Sequence, residues 1–278
     1  MSINLNLEDL LKLARREVSN GKLPSYIPLL SQVNPQSIAI AISDLDKKPI
    51  IAGDIHLTFP LMSAIKPFLL LYLLEILGNG KVFKIVDRQA SLMPFNFIPD
   101  GKPPNPMLNC GAIALASLLD SCQSLQDWLN QKSGTNLFID QQMLSSVRSV
   151  ANRRNLEITS QLQKLGIISN LKQTLAVYEE ICCLTCNVMD LAKIGTLLIN
   201  AKIPNVNTVL EVMTNCGMYE TSSTFAQEIG LPSKSSVSGV LLSILPTQLA
   251  IACYSPALDE VGNSVAGVFL LKQLKSLL

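Results

Sequence analysis

A chain of 278 residues is long enough for one large domain or two small ones sharing an interface, and with 48% hydrophobic residues it can bury a sizeable core without disulfides or metals. The net charge of +1 leaves no basic excess to neutralise phosphates, which argues against a nucleic-acid or other polyanionic partner. The longest apolar run, Pro67 to Leu77, is too short to span a bilayer and is interrupted by Glu75, so no membrane partner is expected.

The N-terminal "MSINLNLEDLLKLARREVSN" mixes acidic and basic residues among apolar ones, as an amphipathic helix does, and lacks the apolar stretch of a signal peptide. Together with seven scattered cysteines, an odd number, this predicts a cytoplasmic protein with reduced thiols. "QSIAIAISD" (36–44) and "KPIIAGD" (48–54) place β-branched residues on either side of a polar turn at Leu45-Asp46-Lys47, the pattern of an antiparallel hairpin. The apolar helix "PLMSAIKPFLLLYLLE" (60–75) follows. Residues 86–106 are rich in Pro and Asn and read as a loop long enough to hint at a site. From about Asn109 to Asn200 the periodicity is helical, in "GAIALASLLDSC", "SLQDWLNQ", "QQMLSSVRSVANRRNLEITSQLQKLG" and "VMDLAKIGTLLIN". β character returns in "VSGVLLSILP" (237–246) and "QLAIACYS" (248–255), and "GNSVAGVFLLKQLKSLL" closes the chain as a helix. Strands at both ends around a helical block predict one sheet assembled from both chain ends, with a helical lobe inserted between them.

Ser63 and Lys66, in "SAIK", are one helical turn apart, which brings the amine over the hydroxyl; burial lowers a lysine pKa, as a general base near neutrality requires. The bare pattern is cheap, because Ser19-Asn20-Gly21-Lys22 and Ser169-Asn170-Leu171-Lys172 also spell it in polar, loop-like settings. Ser63 is singled out by its place at the start of an apolar helix directly after the hairpin. His56, the one histidine, lies in a short linker with no orienting carboxylate and reads as structural. Cys182, Cys183 and Cys186 contain a C-x-x-C, but neither a second pair nor a downstream histidine accompanies it, so these read as small residues of a helical core rather than a metal site. Glycine-rich phosphate loops are absent. Glu179 and Glu180, like Asp120, Asp127, Asp259 and Glu260, read as helix-terminal or solvated charges. Lys234-Ser235-Ser236 reads as a polar turn before a strand, the alternative being a cation and backbone N–H groups facing a site.

Taken in order, "GKLPSYIPLL", "PLMSAIKPF", "PPNPMLNCGAIA", "NCGMYETSSTFAQEIGLPSKSSVSGV" and "SPALDEVGNSVAG" resemble the motifs of the serine-dependent glutaminases, from about Asn20 to the C-terminus. The resemblance implies an α+β, β-lactamase-like fold with an antiparallel sheet flanked by helices plus a helical lobe. Residues 20–60 and 210–278 would form the mixed lobe and 61–209 the helical one, with the site in the cleft between. It implies Ser63 as the acylated nucleophile, Lys66 as its base, Tyr219 beside the pair and Tyr178 as a further site tyrosine. The N–H groups of Ser63 and Val237 would form the oxyanion hole, and Tyr26, Asn109 and Asn155 would hold the bound glutamine. The reaction implied is two-step acyl transfer from a small-molecule amide, calling for no metal or organic cofactor, in a homodimer or homotetramer.

The departures from the family pattern concern recognition. The family's Ser-Glu pair before the position matched by Asn155 is Val147-Arg148 here. The resemblance makes that glutamate the contact for the substrate's α-ammonium group, so Arg148 reverses a charge, and like charges inside a pocket repel by kilocalories. No acidic residue occurs between Asp140 and Glu157, and Glu157 lies on a different helix face from Asn155. Glu-Pro-Ser-Gly has become Gln89-Ala90-Ser91-Leu92, followed by a retained Phe95-Asn96; Lys-Ser-Gly has become Lys234-Ser235-Ser236, and a glycine pair has become Gly239-Val240. Fewer glycines near an oxyanion hole change how closely the backbone can approach. The readings that follow are a glutaminase with reduced glutamine turnover, an amidase for a substrate with an anionic group facing Arg148, or a binding or regulatory protein with little catalysis. A penicillin-binding or β-lactamase role is disfavoured by the lack of an export signal.

Overall fold

The structure, a computed structural model, describes residues 6–91, 98, 101–150 and 153–276. Helix α1 (Leu7–Glu17) starts at Asn6, whose side chain accepts from the N–H of Asp9, and places acidic residues in its first turn and Arg15 and Arg16 in its last. The hairpin forms as β1 (Ala39–Ser43) and β2 (Ile50–Gly53), antiparallel, with Ile42 opposite Ile50. Asp44 Oδ1 holds its turn, accepting from the N–H of Asp46 at 2.9 Å and of Lys47 at 2.6 Å. After a short strand β3 (Phe59–Pro60), Ser63 falls in a 3-10 turn, Met62–Ile65, that runs directly into α2 (Lys66–Leu77); α3 (Asn79–Ile85) follows. The Pro- and Asn-rich stretch holds no α-helix or strand among its described residues, and its ends are laced together by Asp87 N–H to Pro103 O at 2.8 Å and Gln89 N–H to Pro104 O at 2.9 Å. Phe95 and Asn96 lie outside the described residues.

The helical block comprises α4 (Asn109–Ala116), α5 (Cys122–Ser133), α6 (Gln141–Ser149), α7 (Arg153–Lys164), α8 (Leu171–Cys182) and α9 (Val188–Gly195). Two strands interrupt it, β4 (Phe138–Ile139) and β5 (Leu184–Cys186), and with β3 they form a small sheet in the order β3-β5-β4. The cysteine run is therefore not all helical: Cys182 ends α8, Cys183 caps it and Cys186 belongs to β5, while all three thiols are buried. Helices α10 (Val206–Cys216) and α11 (Ser222–Glu228) lead to β6 (Ser233–Ser235), β7 (Val240–Leu245), β8 (Leu249–Tyr254) and the closing α12 (Val265–Lys275). The expected polar turn at Lys234 is thus itself an edge strand.

The main sheet has five antiparallel strands in the order β2-β1-β8-β7-β6, so β1 from the start of the chain pairs with β8 from its end, Ala41 opposite Ala252. Alternation along β1 sends its side chains to two cores. Ile38, Ile40 and Ile42 pack with Leu11, Ala14, Leu270 and Leu274 of α1 and α12, whereas Ala39 and Ala41 belong to the larger core with the leucines of α2. On that second face α9 lies close to the sheet because Gly195 has no side chain: a Cβ there would stand 2.8 Å from the Cβ of Ala250. The expected antiparallel sheet flanked by helices, with a helical block inserted in the chain between its strands, is what forms. No helix among the described residues is long and apolar enough to cross a membrane.

Candidate active site

The site begins where β3 hands the chain to α2. Leu61 donates its N–H to the carbonyl of Leu184 at 2.7 Å, and Met62 then takes a φ of +46°, a left-handed conformation that bulky residues rarely adopt. That bend starts the turn carrying Ser63, which is half-buried, and one turn later Lys66 opens α2 with only 1% exposure. Lys66 Nζ donates to the carbonyl of Met107 at 2.9 Å and to Asn109 Oδ1 at 2.8 Å. Burial lowers its pKa to about 8, against the opposing pull of the Cys182 and Cys110 thiols. The positive end of α2, at which the amine stands, disfavours a cation in the same sense as burial.

Asn109, the first residue of α4, joins three helices. Its Oδ1 accepts from Lys66 and also from the hydroxyl of Tyr178 on α8 at 3.2 Å, and its Nδ2 donates to Asn155 Oδ1 on α7 at 3.0 Å. Tyr178 and Asn155 are both buried, and burial holds the Tyr178 phenol well above its ordinary pKa. Four of the predicted residues, Lys66, Asn109, Asn155 and Tyr178, are therefore one hydrogen-bonded cluster.

The other wall comes from the C-terminal part of the chain. Tyr219, which also has a positive φ of 52°, directs its ring under the amine of Lys234, 4.4 Å from the ring centroid. Burial pushes the phenol pKa up to about 12, and a hydrogen bond with Ser63 acts the other way. Lys234 is fully buried and donates to the carbonyls of Gly217 at 3.0 Å and Ser235 at 2.5 Å; burial, and then the neighbouring Lys66, drive its pKa well down. After β6 the chain turns tightly, with Ser236 N–H to Val240 O at 2.9 Å and Gly239 N–H to Ser236 O at 3.0 Å. Gly239 has φ +88° and lies so close to Pro256 that a Cβ would stand 2.4 Å from its Cα. Val237 is at the tip of this turn, and no described residue accepts from its N–H.

Two predicted residues stand apart from these clusters. Tyr26 is 56% exposed, near enough to Tyr219 and Arg154 to interact with them electrostatically. Arg148, in the last turn of α6, is engaged rather than free: its Nε donates to Glu179 Oε2 at 3.1 Å and its Nη2 to Glu180 Oε1 at 3.4 Å. Burial raises the pKa of Glu179 and Arg148 pulls it back. The two glutamates of α8 are thus ion-paired across to α6, not the simple solvated charges expected from the sequence. His56 is exposed in the turn after β2. The residue that pattern reading overlooked is Met107, whose carbonyl holds Lys66 and which no side-chain motif marks, whereas Lys234, read as a polar turn with a site cation as the alternative, lies against Tyr219.

A serine hydroxyl one turn from a buried amine whose pKa is lowered to about 8, with the Val237 N–H unpaired among the described residues, can transfer an acyl group; this is the chemistry of Ser–Lys hydrolases. The glutaminase family model matches residues 21–278. A glutaminase from Synechocystis sp. is 39% identical over 278 residues, covering 94% of this chain and 85% of that protein. Glutaminase 2 from Bacillus subtilis is 32% identical over 294 residues, covering 97% of this chain and 95% of that protein. Among solved structures, a probable glutaminase from Bacillus subtilis complexed with 6-diazo-5-oxo-L-norleucine aligns with a TM-score of 0.89 at 29% identity, over 97% of this chain and 93% of that one. The chain belongs to the glutaminase family, and its fold is of the β-lactamase-like kind.

Proposed function

We propose that the protein hydrolyses L-glutamine to L-glutamate and ammonia through an acyl-enzyme on Ser63. The observation that carries this is the buried amine of Lys66, held by Met107 and Asn109 one turn from Ser63, in a chain of the glutaminase family. Neutral Lys66 takes the Ser63 proton as Oγ attacks the side-chain carboxamide, and the N–H groups of Ser63 and Val237 stabilise the tetrahedral oxyanion. The C–N bond then breaks, and ammonia leaves with a proton delivered through Tyr219 or Lys66. Water attacks the ester, the same groups act in reverse, and glutamate departs. In this reading Tyr26, Asn109 and Asn155 hold the substrate, Tyr178 fixes Asn109, and the site lies in the cleft between the mixed lobe (20–60 and 210–278) and the helical lobe (61–209).

The pairing of Arg148 favours glutamine over an anionic substrate. Its guanidinium already shares two carboxylates, so the trio with Glu179 and Glu180 carries a net negative charge and the reversal at position 148 is offset locally. The displaced carboxylate still lowers turnover, so kcat/KM for glutamine falls below that of the relatives. Ammonia release measured across a panel of amides, wild type against Ser63→Ala, tests the reading. Release should be greatest with glutamine and lost in the variant; an undiminished rate in Ser63→Ala overturns the mechanism. Assembly as a homodimer or homotetramer and a cytoplasmic location belong to the same reading, checked by sedimentation velocity and cell fractionation.

A further inference from the structure

The two proposed oxyanion donors come from distant parts of the chain, and one buried side chain joins the segments that carry them. Ser236 is fully buried, and its Oγ donates to the carbonyl of Leu61 at 2.8 Å, across 175 positions of sequence. Ser236 immediately precedes Val237, and Leu61 is two residues before Ser63. A hydroxyl has one proton, so with that proton committed to Leu61 the 3.0 Å contact to Ser238 is donated by Ser238.

The Leu61 carbonyl belongs to the peptide whose orientation defines φ of Met62, the left-handed residue at +46°. Three hydrogen bonds fix the bend: two at that carbonyl, from Ala64 N–H at 2.9 Å and from the Ser236 hydroxyl, and one on the preceding peptide, from Leu61 N–H to Leu184 O at 2.7 Å. A left-handed non-glycine residue is strained and persists only when its surroundings over-determine it. Of the three bonds, only the one from Ser236 also ties the bend to the Val237 turn. The geometry points to Ser236 as a positioning residue of this protein, a staple that sets the spacing between the Ser63 and Val237 N–H groups by holding the Leu61–Met62 peptide. The inference rests on the reading of Ser63 as nucleophile. The resemblance places glycine at this position in the family, so the staple is a device of this chain.

Phosphonylation of Ser63 by a fluorophosphonate tests the staple without glutamine. The Ser63 Oγ–P bond forms, the P–F bond breaks, the serine proton passes to the base and fluoride leaves, while the phosphoryl oxygen draws on the same two N–H groups. The labelling rate, followed by intact mass with the site mapped by peptide mass, should fall about tenfold or more in Ser236→Ala, because small displacements of reacting groups have large kinetic effects. Ser236→Cys, which keeps the volume but is a weak donor, should fall similarly, and Ser238→Ala should stay within about twofold of wild type. In glutamine assays the loss should appear in kcat with KM little changed. Wild-type labelling rates in both Ser236 variants overturn the proposal, as does an equal slowing in Ser238→Ala, which signals loosening of the turn alone. A wild type left unlabelled at Ser63 overturns the nucleophile reading and the staple with it, whereas labelling sensitive to Ser236 in a protein inert towards glutamine removes only the assigned substrate.

Discussion

A lysine amine taken out of water keeps its proton only to the extent that its neighbours replace the lost hydration. Lys66 has a backbone carbonyl and an amide oxygen for this, both neutral dipoles and neither a carboxylate. The outcome is a pKa lowered to about 8, so that a useful fraction of the amine is unprotonated near neutrality. Below that value the amine is charged and cannot accept the serine proton. The rate constant kcat/KM should therefore rise as pH climbs through about 8, and Lys66→Arg, whose guanidinium stays protonated, should lose roughly two to four orders of magnitude at every pH. A pH–rate profile flat between pH 6 and 9 would remove Lys66 from the role of base. Tyr219 differs in kind: its phenol, pushed up to about 12, is a neutral donor throughout that range and suits passing a proton on rather than abstracting one.

Between elements, the contact of α6 with α8 shows how a charge can be reassigned without being lost. Arg148 lies between Glu179 and Glu180, and Glu179 is held by burial at a raised pKa that Arg148 moderates. Arg148→Glu brings three carboxylates together and raises the pKa of Glu179 further. A carboxylate whose folded-state pKa lies above its unfolded value lends its stability at low pH and loses it as pH rises. The variant should therefore be less stable than wild type at pH 7, with the difference narrowing towards pH 5. Urea midpoints at the two pH values measure this, and a gap that widens on acidification contradicts the trio. This pairing was not legible beforehand, because its partners are about thirty positions apart and each alone resembles a solvated charge. The elements that were legible carry strong local periodicity: the β1–β2 hairpin, α2, β7, β8 and α12. Strands β3 and β4 have two residues each, too few for any alternation, and β5 is hidden in a cysteine run continuous with α8. β6 is polar throughout, yet buried, because Ser233 shares a 2.7 Å hydrogen bond with Ser243 and the Lys234 amine finds carbonyls. At the site, the Ser63–Lys66 pair was readable from the helix it opens, and Asn109, Tyr178 and Tyr219 from ordered motifs. The left-handed bend at Met62 and the Ser236 bond are set by tertiary contacts that no window of sequence contains.

For the whole molecule, the decisive fact is that the central sheet is shared between the two ends of the chain. β1 has β2 on one side and β8 on the other, while α12 covers the sheet face that α1 also needs. A chain ending before Val265 leaves Leu11, Ala14 and the β1 isoleucines without the leucines of α12. Such a truncation should lose its cooperative urea transition and its near-UV circular dichroism, whereas an intact transition would show that the sheet closes without its last helix. The same topology governs when the protein becomes active as it leaves the ribosome. Ser63 and Lys66 emerge first, and Tyr219, Lys234 and Val237 are translated long after them. Until then the nascent chain lacks the wall formed by Tyr219 and the Val237 turn. In the proposed mechanism nucleophile and oxyanion hole come together only as β6 and the Val237 turn dock, so a nascent chain that carries Ser63 and Lys66 but not yet that turn has no activity towards amides.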